Sequence, residues 1–380
     1  MQPAFHEVAT LVSYMASRVS NKLLGDGLLR VNRIDNLQLQ TARIGATVRR
    51  QKSLQRHEKT TTLSDHNRRS RFQDALLRWY VENGRNLPWR KNKDPYRVWL
   101  SEVMLQQTRV NAVVEYYLRF LEKFPTVQVL AAARVSSVLA AWSGLGYYRR
   151  ARALHQAAKD IVTKHAGQFP SSAEQLQDLP GVGKYTALAI ASIVFDEPVA
   201  VVDGNVERVL QRLVARDLRR EESWRLAQDL LCRTQPGDFN QAMMELGATI
   251  CLPRGPKCLV CPVLEFCAVR GALEGKTPDT RKKQEIYYLL DVREGKVHLR
   301  RRAKSESLMP GMWELPEHEP NGHIPEFSLR HSITVTDYVV HVSRGCVPEH
   351  TRGKWFTGSS AAELPLTGLT RKILRRARII

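Results

Sequence analysis

From Phe72 to about Leu273, apolar residues recur at i, i+3 and i+4, the spacing of one buried helix face. The pattern predicts helices over Ser101–Phe120, Ser136–Trp142, Arg150–His165, Tyr185–Val194 and Val206–Val214. Phe124-Pro125, Gly144 to Gly146, Phe169-Pro170 and Pro180 to Gly183 punctuate them. Ser171 with Glu174 has the form of a capping box opening a short helix. After a basic, proline-bearing linker near Gly275 to Lys283 the period becomes two, and Ile286–Val292, Lys296–Arg300 and Ser332–Val342 read as strands. Residues 1–70 show no sustained period and are expected to form a disordered basic extension. The expected order is this extension, a helical core over 71–250 completed by a cysteine loop at 251–267, a linker at 268–284, and a smaller α+β domain over 285–380.

Composition adds two facts to this mainly α picture. The longest mainly apolar stretch, Ala187 to Phe195, falls far short of the ~18 residues a membrane helix needs. The formal net charge is +20, of which residues 1–70 carry +7 and residues 71–380 the remaining +13. A basic body calls for a polyanion, with nucleic acid favoured over an anionic membrane surface. Glu7 and the sparse arginine near the start argue against a transit peptide, so the expected location is cytoplasmic, at the nucleoid of a bacterial-type cell.

Four of the six cysteines form Cys251-x6-Cys258-x2-Cys261-x5-Cys267. Such clustering suits metal or cluster chemistry better than a disulfide framework, and both zinc and [4Fe–4S] fit four thiolates on one loop. In Leu179-Pro-Gly-Val-Gly-Lys-Tyr-Thr-Ala187, Gly181 and Gly183 carry a turn into a helix whose N-terminal N–H groups could hold a phosphate. Glu102 is a lone acid in an apolar helical run, with Gln106 one turn on. Asp203 precedes a helix and suits an N-cap as well as a catalytic role. Two carboxylates flanking a glycosidic bond are the usual means of expelling a sugar's leaving group. Tyr147 and Tyr148 beside Arg149, Arg150 and Arg152 suit either an unstacked nucleic-acid strand or core packing.

Together these residues resemble the helix–hairpin–helix glycosylases, and among them the MutY-type adenine DNA glycosylases. The resemblance runs through Leu87-Pro-Trp-Arg90, Val98 to Thr108, Gly144 to Tyr148, Leu179 to Ala187, Val202 to Val206 and Phe239 to Gly247. It implies a two-lobed helix–hairpin–helix glycosylase core with an iron–sulfur cluster loop, and a monomer acting on duplex DNA with adenine opposite 8-oxoguanine or guanine. By position, Glu102 would be the general acid and Asp203 the carboxylate facing the sugar cation, with Tyr185 and Asn205 in support. Arg90 and Gln241 would contact the flipped adenine. Tyr147 would wedge into the duplex beside Gln106, Gln107 and Thr108. Cys251, Cys258, Cys261 and Cys267 would hold a [4Fe–4S] cluster. Endonuclease III-type enzymes carry a lysine nucleophile just before the hairpin threonine, where this chain has Tyr185, so strand cleavage is not expected. A thymine-specific mismatch glycosylase or a non-catalytic DNA-binding module are the competing expectations.

Gly311-Met-Trp-Glu-Leu-Pro316 and Leu364 to Thr367 with Arg371 to Leu374 resemble the family's Nudix-like C-terminal domain, without an acid-rich hydrolase box. The segment that reads 8-oxoguanine aligns with Ile333-Thr334-Val335, where only the Thr334 hydroxyl survives. An alternative register uses His331-Ser332.

Overall fold

The computed structural model describes residues 65–271, 282–306, 308–320, 324–333 and 336–380. The expected disordered extension over 1–70 therefore lies outside the described residues except at its end, and Thr334 lies outside them too. The core opens earlier than residue 71. Asp65 accepts a hydrogen bond from the Asn67 N–H at the start of α1 (His66–Asn83), and Arg68 and Arg69 donate to the carbonyls of Glu265 and Asp229.

Ten further helices follow in the core: α2 (Pro95–Leu105), α3 (Val110–Lys123), α4 (Val127–Ala132), α5 (Val135–Trp142), α6 (Tyr148–Lys164), α7 (Ala173–Gln177), α8 (Lys184–Phe195), α9 (Gly204–Val214), α10 (Arg220–Leu230) and α11 (Pro236–Thr249). They surround two apolar cores. Trp99, Tyr117, Phe120, Trp142 and Leu154 belong to the core formed by α2 to α8. The second core joins Phe72 and Leu76 of α1 to Val209, Leu210, Phe239 and Leu246 of α9 and α11. The chain thus returns its first helix to the later lobe. The first turns of α8 and α9 and one face of α11 meet α2 in a cleft between the two.

Three local expectations need correction. Ser101–Phe120 is not one helix: α2 ends at Leu105, Gln107 takes a left-handed φ of 56°, and α3 starts at Val110. The apolar period survives the break because both helices bury against the same core. The helix cap lies one residue late, with Ser172 accepting from the Gln175 N–H while Glu197 takes the Ala173 N–H. Ser332–Val342 is not one strand: Ser332 and Ile333 end a strand that pairs antiparallel with the next, which begins at Thr336.

The C-terminal region has strands β1 (Lys282–Leu290), β2 (Val292–Arg293), β3 (Lys296–Arg301), β4 (Trp313–Glu314), β5 (Phe327–Ile333), β6 (Thr336–Arg344) and β7 (Lys354–Thr357), then α12 (Gly358–Ala362) and α13 (Gly368–Arg376). β6 runs parallel to β1 and antiparallel to β5, and β3 pairs with β2, β4 and β7. Leu290, Val297, Leu299, Val340, Ile373 and Leu374 fill its core. Met312 departs from this plan: it is fully buried in the core of α2 to α8. β1 already begins at Lys282, inside the span expected to be linker.

Candidate active site

Glu102 lies on the cleft side of α2, 6% exposed. Burial pushes its carboxyl up to about 7; a hydrogen bond with Tyr185 and the charge of Arg90 oppose the rise, and neighbouring Asp203 adds to it. The result is an acid that is still about half-protonated near neutrality. The Tyr185 hydroxyl is pushed well above its usual range by burial and then by Glu102 and Asp203, and it also lies 3.3 Å from the Met244 sulfur.

Asp203 is the N-cap of α9. Its Oδ1 accepts from the backbone N–H of Asn205 at 2.9 Å and of Val206 at 2.7 Å, and its Oδ2 accepts from Asn205 Nδ2 at 2.9 Å. The side-chain oxygen of Asn205 in turn receives Arg208, which also reaches the Gly247 carbonyl. A side chain at Gly247 would sit 2.7 Å from the Asn205 Cβ, so α11 approaches α9 this closely only with glycine there.

Arg90 is held by a residue the motif reading passed over. Glu245, fully buried on α11, accepts from Arg90 Nη2 at 2.9 Å and from Arg85 at 2.6 and 2.9 Å. Burial would raise its carboxyl, but the hydrogen bonds and charges of Arg85 and Arg90 outweigh that and hold it below the usual range. A lone acid within Ala242-Met-Met-Glu-Leu-Gly247 was the available signal. Gln241, one turn away, lines the same cleft.

The cleft has a volume of about 1190 Å³ and brings Glu102, Asp203, Tyr185, Asn205, Arg90 and Gln241 together with Gln106, Gln107, Thr108 and Tyr147. Gln106 donates to Thr186 at 3.0 Å. Arg150, which the sequence offers only as one of three arginines, closes the break after α2. Its Nη1 donates to the carbonyls of Val103, Met104 and Gln106, and its Nη2 reaches Thr108 and Gly146. Those carbonyls end a helix and have no partner within it. The guanidinium also lies 5.3 Å from the ring centre of Tyr147, which is exposed and left-handed at φ 49°. His331 and Ser332 line the cleft from the C-terminal side.

Gly181 and Gly183 do not line the cleft. Gly181 has a φ of 77°, and Gly183 precedes α8 with no side chain capping its first turn. The Lys184 ammonium sits 4.6 Å over the Trp224 ring.

The four clustered cysteines are half-buried beside α9. Burial pushes the Cys261 thiol up to about 11, with Cys251, Cys267 and Cys258 adding to the rise, so each of those three lies within electrostatic reach of Cys261. Among the described residues, no group of three or more His, Cys, Asp or Glu is placed to grip a single ion. Arg212, 3% exposed, donates to the Cys251 sulfur at 3.2 Å, and the Cys267 thiol donates to the Arg212 carbonyl at 3.4 Å. A buried cation against such thiols suits a site that carries net negative charge.

Residues 100–231 match the HhH-GPD superfamily of base excision DNA repair proteins. An adenine DNA glycosylase of Rattus norvegicus is 50% identical over 211 residues, which cover 52% of this chain and 41% of the rat protein. One of Arabidopsis thaliana is 37% identical over 324 residues, covering 72% of this chain and 51% of the plant protein. The chain thus spans about half or less of the length of these relatives. A solved thermostable thymine-DNA glycosylase superposes with a TM-score of 0.50 at 30% identity, over 53% of this chain and 96% of that one. The chain belongs to the HhH-GPD superfamily of base excision DNA repair proteins, and over the helical core it is similar to that superfamily's adenine DNA glycosylases.

Proposed function

We propose that the chain hydrolyses the N-glycosidic bond of adenine paired with 8-oxoguanine or guanine in duplex DNA, leaving an abasic site. The carrying observation is Glu102, a buried acid about half-protonated near pH 7, in one cleft with Asp203. A base inside a duplex is out of reach, so the adenine must be flipped into that cleft. Adenine is a poor leaving group until its N7 is protonated. Glu102 gives that proton as the C1′–N9 bond breaks and the electron pair leaves with the base. Asp203, fixed by Asn205 and the first turn of α9, faces the positive charge that develops on the sugar. Water then adds at C1′ and returns its proton to Glu102, so atoms and charge balance.

Arg90, oriented by Glu245, and Gln241 hold the base, and Tyr147 enters the duplex. Gly181 and Gly183 present the uncapped first turn of α8 to a phosphate. Cys251, Cys258, Cys261 and Cys267 would hold a [4Fe–4S] cluster, a group that suits four clustered thiols beside the buried Arg212. When bound, it supplies a structural anchor for the loop packed on α9. The C-terminal region is read as Nudix-like, with His331 and Ser332 the residues at hand for the base opposite adenine.

Thymine opposite guanine is the second reading, favoured by the thymine-DNA glycosylase match. Glu102 speaks against it, because expelling thymine needs no N7 acid. Single-turnover assays on duplexes with A opposite 8-oxoguanine, A opposite G and T opposite G separate the readings. Adenine release is expected on the first two and nothing on the third, with Glu102→Gln slower by roughly 10²-fold or more. Release that survives Glu102→Gln sinks the mechanism. Strand cleavage through a borohydride-trapped Schiff base at Lys184 sinks the assignment of simple hydrolysis.

A further inference from the structure

Gly144, Gly146 and Tyr147 all have left-handed backbone, with φ of 108°, 73° and 49°. Glycine adopts this readily; tyrosine does so only where its surroundings enforce it. A Cβ at Gly144 would collide with the Tyr116 hydroxyl, so the position takes only glycine. What holds the loop comes from the far end of the chain.

The Tyr148 hydroxyl accepts the Gly144 N–H at 3.3 Å and donates to the Leu366 carbonyl at 3.0 Å. The Ser143 hydroxyl donates to that same carbonyl at 2.7 Å and accepts Arg371 Nε at 2.8 Å. Ser143 and Tyr148 are each 4% exposed, so losing either partner would strand a buried polar atom. Arg371 also donates to the carbonyls of Ala362 and Leu364, fixing the turn that carries Leu366. A second tie runs from Arg152 to the Pro310 carbonyl at 2.7 Å, next to the buried Met312.

From this geometry we propose that Tyr148 and Arg371 are positioning residues: through Ser143 and the Leu366 carbonyl they lock the loop that presents Tyr147 to DNA. The C-terminal region then sets how firmly the mispair is gripped, as well as touching it. This inference rests on the glycosylase reading above, because it assumes that Tyr147 enters the duplex.

The test measures binding by the full chain in a Glu102→Gln background, to a duplex with A opposite 8-oxoguanine and to a fully paired duplex. A 2-aminopurine beside the mispair reports unstacking. Tyr148→Phe removes only the hydroxyl, and Arg371→Lys keeps charge and most of the volume. Each is expected to lower the ratio of mispaired to paired affinity about tenfold and to dim the 2-aminopurine signal, with paired-duplex affinity little changed and a lower urea midpoint from the buried polar atom left unpartnered. Combined with Tyr147→Ala, neither should lower the ratio further, because both act through that ring. A ratio that stays at its starting value, or losses that add in full to those of Tyr147→Ala, overturns the proposal alone. A parent protein that binds both duplexes equally overturns the functional reading, and the positioning role with it.

Discussion

Glu102 costs free energy to ionise where it sits, and the role proposed for it as an acid depends on that cost. Its carboxyl is pushed from 4.5 to about 7, chiefly by burial. The native state therefore binds this proton more tightly than the unfolded chain does. The associated stability is fully present below about pH 4.5 and is lost as pH rises through about 7. Removing the charge without changing the shape should reverse the penalty. Glu102→Gln is expected to unfold in urea like the parent at pH 4, and to be more stable at pH 8 by on the order of 3 kcal/mol. An equal difference at both pH values would mean that Glu102 titrates as an ordinary surface acid. A lone acid in an apolar helix marks Glu102 in the sequence. Nothing local marks its environment, because Tyr185, Arg90 and Asp203 come from three other segments. Glu245 went unnoticed for the same reason: its partners Arg85 and Arg90 lie 160 and 155 residues away in the chain.

Elements carry the second carboxylate. The alternatives for Asp203, a helix cap or a site residue, do not exclude each other: the cap that closes α9 also lines the cleft. The two contributions can be separated by substitution. Asn caps a helix about as well as Asp, whereas Ala costs about 1 kcal/mol at such a position. Asp203→Asn should keep the thermal midpoint and lose adenine excision by roughly 10²-fold, since it removes charge facing the sugar cation. Asp203→Ala should lose both. An Asn variant that unfolds early but cleaves at the parent rate would reverse the assignment. Element types were legible wherever one periodicity ran unbroken, as in Arg150–His165, which became α6. The break after α2 was not, because Arg150 enforces it from another helix. The β5–β6 hairpin stayed hidden because its two arms read as one alternating run.

On the proposed function, attraction to DNA and choice of base fall to different residues across the whole molecule. The +20 suits a polyanionic partner, but the cleft that would select adenine is built from Glu102, Asp203, Tyr185, Gln241 and a paired Arg90. Insertion of Met312 into the helical core and the bond from Ser143 to Leu366, 223 residues apart, join the C-terminal region to that cleft. No sequence period could announce either, since both depend on where two finished folds meet. Phosphate contacts release counterions, so affinity should fall linearly on a log–log salt plot. With six to ten phosphates neutralised, the loss between 50 and 200 mM salt is about 10³ to 10⁵-fold. Arg149, exposed at the cleft, should reduce the slope by about 1 on change to Ala, for paired and mispaired duplexes alike. Gln241→Ala should leave the slope alone and weaken only the mispaired complex. Equal slopes for the parent and Arg149→Ala would remove Arg149 from the phosphate track. A slope change in Gln241→Ala would show that attraction to the backbone and selection of the base are not separate in this cleft.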